Sequence, residues 1–127
     1  MRPTMGRTGP QTFSLHERLK RSADFRRCIK QGKRSAGKYV VVYAASNDLG
    51  HARLGAGSTK RLGDAVLRNR AKRLVREAFR LCKHQLPADA DLVVLPRLPW
   101  REPSLDELKA DLVAAAGRAR TALGKNE

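Results

Sequence analysis

A single amphipathic segment, Ala65 to Lys83, constrains this chain more than any other feature. On a helical wheel, Leu67, Ala71, Leu74, Val75, Ala78, Phe79, Leu81 and Cys82 fall within an arc of about 160°. Asn69, Arg70, Lys72, Arg73, Arg76 and Arg80 take the remaining surface, with Arg68 at the border and Glu77 as the only acid in the segment. The fold must therefore supply an apolar layer for one side of this helix. A solvated helix face usually mixes signs, because opposite charges at i,i+4 attract and like charges repel by roughly a few tenths of a kcal/mol. Arg68, Lys72, Arg76 and Arg80 instead form an i,i+4 row of one sign. Releasing counterions from a nucleic acid outweighs that repulsion, so the row favours a polyanion over plain solvation. Arginine predominates, and its planar fork grips a phosphate with two hydrogen bonds.

The rest of the composition agrees. The chain has 127 residues, which suits one domain, and a formal net charge of +15. Such a charge opposes compaction unless a polyanion neutralises it. Nucleic acid is the first candidate and a membrane surface the second. No apolar run approaches the roughly 18 residues needed to span a bilayer. Met1 to Thr12 is basic without an apolar stretch and does not resemble a signal peptide, so a cytoplasmic location is expected. Aromatic residues make up only 5%, so the core should be Leu, Val and Ala. Cys28 and Cys82 lack CxxC or HxxC spacing and lie on apolar helix faces, which predicts buried, reduced thiols. His16, His51 and His84 are scattered, and no protein metal site is expected.

Along the chain, residues 1–12 read as a disordered basic tail, 13–123 as one RNA-binding domain, and 124–127 as a frayed end. Leu15 and Leu19 are expected anchors of the lead-in. Ser22 is placed as the N-cap of a short helix with Asp24 in its first turn, Phe25, Cys28 and Ile29 on one stripe, and Gly32 as its stop. Lys38 to Ala45 predicts a strand with Tyr39, Val41 and Tyr43 on one face and Val40, Val42 and Ala44 on the other. Both faces are apolar, so both should be covered. Ala52 to Thr59 is expected to return as its antiparallel partner, with Gly55 and Gly57 allowing close approach of another backbone. A short extra strand fits Lys33 to Ala36. Asp64 suits the N-cap of the central helix, and Asp91 to Pro96 reads as a buried strand. Strand, helix and strand in that order suggest a βαβ unit with parallel strands. Ser104 and Glu107 form a capping box for a last helix, with Leu105, Leu108, Leu112, Ala115, Ala119 and Leu123 on its core face.

A second candidate site follows from placing the first helix beside the strand. Phe25, Ile29, Tyr39, Val41 and Tyr43 could then wall an aromatic groove able to stack unpaired bases. Plain core packing explains the same residues.

The run Ala52 to Phe79 resembles the bacterial ribonuclease P protein. Arg68-Asn69-Arg70, continued by Lys72-Arg73 and Arg76-Glu77, carries the resemblance, supported by the Asp24-Phe25 helix, the Gly32 stop and the Asp91 strand. It covers roughly Phe13 to Leu123. The resemblance implies an α+β fold, a single α-β-β-β-α-β-α sandwich with a central mixed sheet. It also implies a left-handed βαβ crossover, against the usual right-handed rule. Its implied function is to bind the catalytic ribonuclease P RNA, one to one, together with the 5′ leader of precursor tRNA. The RNA would hold the Mg²⁺ ions and cut the leader, and no residue of the protein would be catalytic. By position, Arg68, Asn69, Arg70, Lys72, Arg73 and Arg76 would face the RNA and the cleavage site, and Lys60 and Arg61 match the basic pair before the helix. Phe25, Val41 and Tyr43 match the leader cleft. Ile29 stands where an aromatic is frequent, Asp64 replaces a usual Asn, and Ser58-Thr59 replaces Val-Ser. Two rivals remain: a structural RNA-binding protein of ribosomal type, which needs no groove, and a self-sufficient nuclease, for which Glu77 and the histidines are poor material.

Overall fold

A computed structural model describes residues 17–19 and 21–124. Leu15, the expected N-terminal tail and residues 125–127 lie outside them. Among the described residues the order is α1 (Ser22–Gln31), β1 (Lys33–Ala36), β2 (Val40–Ser46), β3 (Arg53–Ala56), α2 (Ala65–Cys82), β4 (Ala90–Pro96) and α3 (Leu105–Gly124). This is the α-β-β-β-α-β-α sequence of elements expected. Single 3-10 turns, Lys60–Leu62 and Lys83–Gln85, flank α2.

The four strands form one mixed sheet in the order β1-β2-β4-β3. β1 and β4 both pair antiparallel with β2, and β3 runs parallel to β4. The β3-α2-β4 unit is thus the parallel βαβ unit expected. The hairpin expected between β2 and β3 is absent, because β4 lies between them. The burial pattern gives the reason. All of Ala90 to Val94 is buried, as suits a central strand with neighbours on both sides, whereas β3 is a four-residue edge.

Alternation along the strands divides the sheet into two apolar faces. Val40, Val42, Ala44, Leu54, Leu92 and Val94 pack with Val75, Ala78 and Phe79 of α2 and with Leu108, Leu112 and Ala115 of α3. Phe79 is fully buried there, and truncating such an aromatic typically costs about 3–5 kcal/mol. On the other face Ala45 and Val93, with Tyr43 and Leu95 partly buried, pack with Phe25 and Cys28 of α1 and with Leu19. The α2/α3 face of β2 is fully covered as expected, whereas on the other face α1 covers Ala45 and leaves Val41 and Tyr43 half-buried. The capping box of α3 forms: Ser104 N–H donates to Glu107 Oε1 (2.8 Å), and Glu107 N–H donates to Ser104 Oγ (3.1 Å).

Two local expectations differ, at Ser22 and at Gly55. Arg21, not Ser22, occupies the N-cap of α1, with no side-chain cap, and Ser22 is already helical. Gly32 does end α1, in extended backbone, and a Cβ there would collide with the carbonyl oxygens of Cys28 and Ala44. Gly55 admits a side chain, not a backbone: its missing Cβ would lie 2.6 Å from Phe25 Cζ.

Candidate nucleic-acid interface

The entry to α2 is fixed before its arginines begin. Leu62 is buried and anchors the Lys60–Leu62 turn, leaving Lys60 and Arg61 exposed. Gly63 follows at φ 151°, a conformation L side chains rarely adopt. Asp64 then caps the helix, its Oδ1 accepting from Leu67 N–H at 2.9 Å.

Beyond the cap the wheel holds. Ala71, Val75, Ala78, Phe79 and Cys82 are buried, and Leu67, Leu74 and Leu81 are half-buried. Asn69, Arg70, Arg73 and Arg76 are exposed, and Arg68 and Lys72 are half-buried at the edge. Among the described residues no carboxylate pairs with Lys60, Arg61, Arg68, Lys72, Arg73 or Arg76. Two arginines of the helix are held. Arg80 Nε donates to Glu77 at 3.0 Å, and this hydrogen bond lowers the Glu77 pKa. Arg70 is gripped by Glu102 on the 97–103 connection, with Nε and Nη2 donating at 2.7 and 2.8 Å, which raises the Arg70 pKa. Val66, an apolar residue one turn before Arg70, stands 76% exposed.

On the α1 side of the sheet a cavity of about 420 Å³ opens over Val41, Tyr43 and Leu95, with Arg34, Arg61 and Arg97 among its lining residues. Arg34 sits directly across from Tyr43 in the β1–β2 register, and Leu95 across from Val41 in the β2–β4 register. Phe25 is not part of the lining; it packs, as Tyr43 and Leu95 do, against the buried cluster of Leu19, Cys28, Ala45 and Val93. Ile29 is 40% exposed on α1 and is not part of the lining. Tyr39 does not join the group. It precedes β2, packs against the α2/α3 core, and donates its hydroxyl to Glu107 of α3 at 3.1 Å. The Asp111 carboxylate of α3 accepts the N–H groups of Lys38, Tyr39 and Val40, which breaks the alternation at this point.

Reading the residues one at a time missed Arg34, Leu95 and Arg97. Leu95 shares the parity of Val93 on β4, and the assumed β2–β3 hairpin concealed it. Also missed was Asp91, a fully buried carboxylate. Arg53 donates to it through Nε and Nη2 (2.8 and 2.7 Å), Arg27 of α1 at 2.6 Å and Asn47 at 2.7 Å. Burial pushes its pKa up, but the hydrogen bonds from Arg53 and Asn47 and the charges of Arg53 and Arg27 win, and the net shift is downward. The cluster ties α1, and with it Phe25, to β3 and β4. Cys28 and Cys82 are free and buried as expected, and burial raises each thiol to about 11.

A family model described as ribonuclease P matches residues 13–120. The chain belongs to the ribonuclease P protein family. It is 42% identical over 96 residues to the ribonuclease P protein component of Staphylococcus epidermidis, covering 75% of this chain and 83% of the relative. With that of Syntrophus aciditrophicus it shares 40% over 86 residues, or 68% and 72% of the two chains. Among solved structures, the Staphylococcus aureus ribonuclease P protein aligns with a TM-score of 0.69 at 36% identity, covering 81% of this chain and 94% of that one. The Thermotoga maritima protein aligns at 0.72 and 33%, covering 80% and 96%. Membership in the ribonuclease P family makes the chain a subunit of an endoribonuclease and implies a ribonuclease P RNA as partner. Among the described residues no helix is long and apolar enough to cross a membrane.

Proposed function

We propose that this chain binds the ribonuclease P RNA through Lys60, Arg61, Arg68, Asn69, Arg70, Lys72, Arg73 and Arg76, and holds the 5′ leader of precursor tRNA in the cavity over Val41 and Tyr43. The RNA then removes the leader to give the mature 5′ end. The observation that carries this reading is Arg61. It stands in the turn that leads into the arginine face of α2 and also lines the cavity. One basic surface thus runs from a helix suited to phosphates to a pocket whose floor offers an aromatic ring and aliphatic side chains, the combination that suits an unpaired strand. A ribosomal-type RNA-binding protein would need the first part only.

In this reading the RNA holds the Mg²⁺ ions and supplies the chemistry. Among the described residues no group of three or more His, Cys, Asp or Glu is placed to hold a metal. One protein per RNA and a cytoplasmic location belong to the same proposal. The test is to incubate precursor tRNA with the protein, with the RNA, and with both, at modest Mg²⁺. Stimulation of the RNA, with no cleavage by the protein alone, is the expected result. Cleavage by the protein alone, or no stimulation, overturns it.

A further inference from the structure

Among the arginines of the exposed α2 face, Arg70 stands apart, because its fork is already filled by an acid from a distant segment. Glu102 takes both of its donors in the side-by-side geometry that a phosphate would use. The pair lies at the surface, with side-chain exposures of 67% and 36%, so it is exchangeable rather than a buried lock. Its neighbours are short of acceptors. Among the described residues, Arg68, two residues before Arg70, keeps Nε buried with no acceptor, and so does the indole N–H of Trp100, two residues before Glu102. Buried donors left unpaired are costly, and sugar and phosphate oxygens are acceptors.

We infer that Glu102 is an internal counter-anion that an RNA phosphate displaces from Arg70, freeing the 97–103 connection from α2 when RNA binds. The inference rests on the reading that the α2 face binds RNA. In the free chain Glu102 relieves the like-charge row. On binding, one phosphate contact is gained while one internal ion pair is lost, so the chain binds less tightly than its arginines alone would give.

The test is a double-mutant cycle on the full chain with transcribed ribonuclease P RNA. Binding constants are measured across a salt series for the unaltered chain, Glu102→Gln, Arg70→Ala and the double variant. Glu102→Gln should tighten binding about 3- to 5-fold, the range of a well-formed surface pair, while the salt slope, set by phosphate contacts that both chains make, changes by much less than one unit. The tightening should vanish in the Arg70→Ala background. Equal tightening in both backgrounds would mean a general charge effect and overturn the exchange, as would no tightening at all. If Arg70→Ala alone leaves binding unchanged, the exchange fails; cleavage stimulation measured on the same variant then shows whether the proposed function stands without it. Trp100 is the only tryptophan. Its emission in free Glu102→Gln should already lie toward the RNA-bound value of the unaltered chain, and an unshifted emission would argue against release of the connection.

Discussion

Replacing Asp91 by Asn removes one charge from the interior and leaves the two arginines that depend on it. The carboxylate receives two hydrogen bonds from Arg53, one from Arg27 and one from Asn47. Asn keeps a single acceptor oxygen and loses the charge. Breaking a buried ion pair by removing one partner typically costs about 3–5 kcal/mol. Arg53 and Arg27 retain 23% and 36% of their side-chain exposure, so water recovers part of the loss and about 2–3 kcal/mol is expected. For a domain of this size that lowers Tm by about 10 °C. The Asp91 pKa in the fold lies below its ordinary value of 3.8. A carboxylate of that kind stabilises the fold above its unfolded pKa and loses that contribution as pH falls through the folded value. The gap between the unaltered chain and Asp91→Asn should therefore be full at neutral pH and close progressively below about pH 4. Urea unfolding at a series of pH values measures it. A loss under about 1 kcal/mol at pH 7, or a gap that persists unchanged into strong acid, would rule out this role of the Asp91 carboxylate.

Tyr43→Ala should weaken binding of precursor tRNA to the holoenzyme more than binding of mature tRNA, by about 1–3 kcal/mol for a lost stacking partner; Tyr39→Phe, on the other face, should leave the ratio of the two affinities unchanged, and competition binding reads both. Asp64→Ala should cost about 1 kcal/mol in thermal or urea unfolding through loss of the α2 cap, whereas Asp64→Asn should cost little.

The elements were legible because each carries its own period. The 3.6-residue stripe of α2, the alternation of β2 and the capping box of α3 are written within a few residues of one another. Which strands are neighbours is not written that way. Alternation tells which side chains share a face of one strand, and nothing local says that β4 rather than β3 lies beside β2. That gap hid Leu95 from the cavity. Tyr39 was misplaced because parity was carried one residue past the strand, into a turn whose geometry is set by Asp111, a residue distant in sequence. The Arg70–Glu102 pair and the Asp91 cluster were illegible for the same reason: each joins segments far apart in the chain. The arginine face of α2 needed only the helix itself: Arg70, Arg73 and Arg76 are exposed as expected, although Arg70 and Arg80 are paired with acids.

Contact between the outward side of α2 and RNA phosphates is what the proposed function turns on. Its most direct test is the salt dependence of ribonuclease P RNA binding by Arg70→Ala/Arg73→Ala/Arg76→Ala, with circular dichroism to confirm the fold. Much weaker binding is expected, with a slope of log K against log salt shallower by about 2–3 units. A folded triple variant with unchanged affinity and slope would contradict it.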